Sequence, residues 1–125
     1  MGTRSTIALE RNDGTVIQVY CHWDGYLSGV GATLYGYYNT PEKLEELIEM
    51  GDISSLDLDL ESTVFYHRDR GEELQCSLFE NYDIFSEDGD SQSYNYLMRG
   101  GELFYTRGAS EEWEPLTAEV IETDD

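Results

Sequence analysis

The 125-residue sequence predicts an α+β fold: a small single domain over residues 1–125. Its antiparallel sheet is built from β-hairpins, and two helices, about 28–38 and 41–50, pack after the first hairpin. Three observations lead there. Asp13-Gly14 and Gly100-Gly101 each separate two runs of strand-forming residues, which is hairpin chemistry. Thr40-Pro41 opens an amphipathic segment with a helix N-cap and a proline at the first helical position. No internal repeat or second domain appears, and the hairpins with two helices after the first give α+β. A chain of this length buries roughly two-thirds of its unfolded surface. Ten Tyr, four Phe and two Trp supply much of the apolar area.

In chain order, Thr6–Glu10 and Thr15–Cys21 flank Asn12-Asp13-Gly14, for which a type I′ turn is expected because both central residues need positive φ. Alternation puts Ile17, Val19, Cys21 and Trp23 on one face, and Gln18, Tyr20 and His22 on the other. Val30, Leu34, Tyr37 and Tyr38 recur at helical spacing among glycines that weaken a free helix. Leu44, Leu47 and Ile48 form the stripe of the second helix, with Gly51 as its terminator. Residues 52–56 read as a loop. Leu56, Leu58 and Leu60 alternate with Asp57, Asp59 and Glu61 as an extended segment, and 62–67 reads as a strand. Arg68–Gly71 is a turn, 72–85 has no clean period, and 86–93 is a polar loop. Tyr94–Met98 and Glu102–Thr106 form the second hairpin. Trp113–Leu116 reads as a short edge strand, 117–121 as a last helical turn, and 122–125 as a flexible acidic tail.

Four stretches carry a resemblance. Met1–Ala8, Tyr20-Cys21-His22-Trp23-Asp24-Gly25-Tyr26, the Tyr38-Asn39 helix junction and Gly51–Leu56 resemble a group of small phage-encoded proteins, over roughly the first 56 residues. The resemblance implies a phage setting, hence the cytoplasm of a bacterial host cell. It implies no catalytic residues.

Charge narrows the function classes. The formal charge is −20. Residues 1–41 hold two basic and three acidic groups, whereas 42–125 hold five basic and twenty-four acidic ones. Nucleic acid and anionic membrane are thereby excluded as direct ligands, and a basic host protein is favoured as partner. No signal-peptide pattern and no apolar run long enough to span a bilayer are found. Cys21 and Cys76 are expected to be free thiols.

Duplex DNA carries one charge per ~1.7 Å, so twenty charges match ~34 Å of duplex. A compact chain of this size is about 35 Å across. The expected function is therefore a non-enzymatic acidic inhibitor of a nucleic-acid-handling or anti-phage defence protein, mimicking nucleic-acid charge. Its partner-binding candidates are Asp57, Asp59 and Glu61, then Glu87, Asp88 and Asp90, then Glu111, Glu112 and Glu114.

The alternative is a ligand-binding or catalytic domain centred on Cys21–Tyr26, with His22, Trp23, Asp24 and Tyr26 as its site. A virion structural or assembly protein is a third class. No metal or cofactor is expected. Cys21 and His22 point to opposite strand faces, and no Cys-x₂-Cys or His-x₃-His spacing occurs. Asp88-Gly89-Asp90 begins like a calcium loop, but Ser93 and Arg99 occupy the positions that need Gly and Glu.

Overall fold

Tyr96 ties the molecule together. It is fully buried at the centre of the main core, and its hydroxyl donates to the Gly25 carbonyl at 2.7 Å. It lies on a strand at mid-sheet and reaches the segment that joins hairpin to helix. The computed structural model describes residues 3–108 and 112–123.

β1 (Ser5–Glu10) and β2 (Val16–Cys21) form the first hairpin, Ile7 opposite Val19. Its turn is not type I′. Asp24 is the only described non-glycine residue with positive φ, so Asp13 does not take that conformation, and Gly14 alone in the turn does, at +90°. The Asp13 carboxylate accepts from the amide and hydroxyl of Thr15 instead, which favours a longer loop closed by Gly14. That bonding also lowers the Asp13 pKa.

A π-helical turn, Leu27–Gly31, runs directly into α1 (Ala32–Tyr37). α2 (Pro41–Ile48) follows, its first turn capped by the Thr40 hydroxyl on the Lys43 amide. Both expected helices are thus present.

Between α2 and the second hairpin the expectations fare less well. β3 (Ile53–Ser55) pairs in parallel with β2, and β4 (Val64–Phe65) pairs antiparallel with β3. Within the expected 52–56 loop, Ile53–Ser55 is therefore strand. Leu56–Leu60 is not extended, because Asp57 and Asp59 bond the loop's own backbone. α3 (Tyr66–Arg70) cuts the expected 62–67 strand short. β5 (Ser77–Phe79) pairs with β2, and α4 (Tyr82–Asp88) is capped by Asn81 on the Ile84 amide.

β6 (Tyr94–Arg99) and β7 (Glu102–Arg107) make the second hairpin. Gly100 and Gly101 both take positive φ, as a type I′ turn requires. β8 (Glu114–Pro115) pairs with β7, and α5 (Ala118–Glu122) is capped by Thr117. The helix takes in Glu122, which was expected in the flexible tail; Asp124 and Asp125 lie outside the described residues, as does Met1-Gly2.

The sheet runs β4-β3-β2-β1-β6-β7-β8, with β5 beside β2. It is mostly antiparallel, the β1–β6 and β2–β3 pairs being parallel. The fold is α+β, as expected. Strand parity divides the core. Ile7, Leu9, Ile17, Val19, Tyr96 and Met98 face a layer holding Leu27, Leu34, Leu44 and Leu47. Ala8, Val16 and Leu97 face the other way, against Phe85 of α4. No helix among the described residues is long and apolar enough to cross a membrane.

Candidate functional site

The Cys21–Tyr26 segment is held by its own bonds. The His22 and Trp23 amides donate to the Ile53 and Ser54 carbonyls, extending the β2–β3 pairing. Tyr20 Oη and His22 Nδ1 lie 2.6 Å apart, and the His22 ring meets Trp23 edge-on at 4.8 Å. Trp23 is 41% exposed, not in the core as alternation predicted. The strand ends before it, and Asp24, at φ +58°, turns the chain away. The Asp24 carbonyl receives the Val30 amide at 2.8 Å, and Tyr26 Oη donates to its carboxylate at 3.2 Å. A Cβ on Gly29 would collide with the Asp24 carbonyl, so the π-helical turn needs glycine there.

Cys21 is fully buried, and burial pushes its thiol up to about 12. It stays un-ionised at neutral pH and lacks the thiolate that a nucleophile or metal ligand needs. Cys76 is free and exposed, and His67 Nδ1 sits 2.8 Å from the Glu72 carbonyl. Among the described residues no group of three or more His, Cys, Asp or Glu side chains is placed to hold a metal ion.

The acidic candidates separate. Asp57, Asp59 and Glu61 lie between β3 and β4, at one edge of the sheet; Glu112 and Glu114 lie at β8, at the other. Six strand spacings, roughly 29 Å, come between. Two members of the first group act within their loop. Asp57 Oδ1 accepts from the Leu58 amide and Asp59 Oδ1 from the Ser62 amide, each at 2.7 Å, and Ser62 lowers the Asp59 pKa. Arg68 of α3 reaches back to the same loop and donates to the Leu60 and Thr63 carbonyls. Glu111 falls outside the described residues.

Two members of the second group, Glu87 and Asp90, border a cavity, whereas Glu112 and Glu114 do not line it. This cavity of about 240 Å³ opens beside α4 on the face opposite α1 and α2, and Trp113 lines it as well. Glu112 and Glu114 flank that tryptophan in sequence. Its aromatic wall is Trp113 stacked on Phe85, centroids 6.3 Å apart and planes 26° apart. Its polar side is made by Gln18, Asn95 and Thr106, each 3–4% exposed. Gln18 grips the backbone of Asp90 from both sides: Nε2 donates to its carbonyl at 3.0 Å and Oε1 accepts its amide at 2.9 Å. Asn95 Oδ1 accepts from Thr6 Oγ1 and the Gln92 amide, while its Nδ2 donates to the Gly108 carbonyl at 2.8 Å.

Sequence reasoning missed this group. Gln18 has the parity of a solvent-facing position; a run of buried-type amides and threonines at matching strand positions was the available signal. His22, Trp23, Asp24 and Tyr26 do not line this cavity. In comparisons with known proteins, no family model matches the chain, and no curated protein and no solved structure matches it significantly.

Proposed function

We propose that this chain is a non-enzymatic acidic phage protein that binds and inhibits a basic host protein, one that handles nucleic acid or defends against phage, in the host cytoplasm. One observation carries the proposal: the many acidic groups beyond position 41 lie at the surface, and several of the few basic groups are tied up in contacts within the protein. Every described acidic residue beyond position 41 is exposed except Glu45 and Asp52. Against that, Arg11 pairs with Glu45 at 3.4 Å, Arg68 with Asp69 at 2.9 Å, and Arg99 with Glu10 at 3.0 Å. Arg70 donates to Ser54 Oγ, and Arg107 lies over Tyr94. The seven basic groups offset only about a quarter of the twenty-seven acidic ones, which leaves the net charge of −20.

Such a surface raises the association rate with a basic groove and is screened by salt. The acidic groups surround the molecule at both edges of the sheet, which supports charge mimicry by density and not by one ordered row.

The test is capture from bacterial lysate on the immobilised full chain. At low salt it is expected to retain a basic nucleic-acid-binding protein, released by rising salt and displaced by duplex DNA. Retention of no basic partner, or capture indifferent to salt, overturns the proposal.

A further inference from the structure

We infer that the cavity between α4 and Trp113 is the anchor for an arginine side chain of a basic partner. The inference rests on the acidic-surface function proposed above and gives that surface a point of attachment. Three features of one cavity combine. Its wall is aromatic, Trp113 lying against Phe85. Its rim carries the exposed carboxylate side chains of Glu87 and Asp90. Its volume, about 240 Å³, is that of roughly eight liquid waters.

Arginine answers each feature. Its methylene stem lies along an aromatic wall while its charged head stays wet. Its planar guanidinium stacks on an indole face and still presents donors in its plane to carboxylates. A lysine ammonium is a compact, strongly hydrated charge that cannot stack and pair at once. The cavity is also held in shape. Gln18 fixes the backbone of Asp90, and Asn95 fixes Gln92 and Gly108. Asp90 Oδ2 accepts from Gln92 Nε2 at 3.1 Å, which orients that carboxylate before any partner arrives. An anchor pocket formed in advance spares a partner the cost of ordering it.

The chain's two tryptophans provide an internal control, since Trp23 lies outside the cavity. The full-length ¹⁵N-labelled protein is titrated with Nα-acetyl-arginine amide, and in parallel with the lysine and citrulline equivalents. Expected are saturable shifts of the Trp113 indole N–H and the Gln18 side-chain amide with arginine, a weaker response to lysine, none to citrulline, and a quiet Trp23. Glu87→Gln and Trp113→Leu should each weaken arginine binding at least about threefold, the loss of one stacking or rim contact. Glu87 is exposed, so Glu87→Gln tests the site even if Trp113→Leu fails to fold.

Equal shifts at Trp23 and Trp113, a lysine response matching arginine, or an unaffected Glu87→Gln variant overturns the inference. Hexa-arginine and hexa-lysine separate it from the wider proposal. If both bind at low salt with the same affinity, in the wild type and in Glu87→Gln, the acidic surface stands and the anchor falls. If arginine amide fills the cavity while no basic partner is retained from lysate, the anchor stands and the wider proposal falls.

Discussion

The two faces of the sheet are made from the same strands, yet they are held by different physics. On the helix-covered face, Ile7, Ile17, Val19, Tyr96 and Met98 meet Leu34, Leu44 and Leu47, and nearly all of the contact is apolar. On the opposite face the neighbouring positions are Thr6, Gln18, Asn95 and Thr106, beside a smaller apolar patch of Ala8, Val16, Leu97 and Phe85 with Phe79, Tyr82 and Trp113 packed on it. Burial is non-directional and scales with area, so the first face tolerates small shifts. Hydrogen bonds depend on geometry and leave costly groups behind when broken. The first face therefore defines the fold, and the second defines the shape of one cavity and of the loop beside it.

The largest expected effect tests the first face. Leu34 is fully buried in the helix layer. Leu34→Ala is expected to cost ~2–5 kcal/mol, read from the midpoint of denaturant unfolding. A cost well under 1 kcal/mol would mean that the helices pack loosely, and the contrast between faces would collapse.

Asn95→Ala comes next, at ~1–3 kcal/mol, because it strands the Thr6 hydroxyl and the Gln92 amide. Its more telling consequence is local: amide exchange should accelerate in 89–93 while the β1–β2 pairing keeps its protection. Uniformly faster exchange across the sheet would show that the second face also supports the fold as a whole.

The same contrast explains what was legible in the sequence. The first face was readable because helix caps, apolar spacing and turn glycines are local: Thr40-Pro41, Leu44/Leu47/Ile48 and Gly100-Gly101 each do what they predict. Much of 52–88 was misread, Val64–Phe65 excepted, because its pairing is set from a distance. β3 and β5 are three residues each and exist by docking on β2. Asp57 and Asp59 have the alternation of a strand, but short carboxylates also bond nearby amides, and here the loop won. Trp23 was placed in the core by continuing a period past the strand's end. The cavity was invisible because its parts come from β2, α4, β6, β7 and the stretch before β8, and no local signal links Gln18 to Asp90.

The smallest effect falls where the two faces meet, at Asp52. Its Oδ1 accepts the Tyr20 amide at 2.9 Å beside β2, and the side chain lines a small cavity with Asp90. Burial raises its pKa above the usual 3.8, the Asp90 charge adds to that, and the bond from Tyr20 opposes it. A carboxyl whose folded pKa is raised binds its proton more tightly when native. Its favourable contribution is complete below 3.8 and is lost as pH rises through the folded value, so the ionised group costs stability at neutral pH. Asn keeps the acceptor and removes the charge. Asp52→Asn should therefore raise the unfolding free energy at pH 7, by a fraction of a kcal/mol once solvent screening of a half-buried group is allowed for, read as a higher melting temperature. The advantage should shrink to nothing as the pH falls below 3.8, where Asp52 is itself neutral. A variant less stable at pH 7, or a difference constant from pH 3 to pH 7, would mean that Asp52 acts through its bond to Tyr20 and not through its charge. In that case the boundary between the faces would be held by the same directional bonding as the cavity, and not by burial.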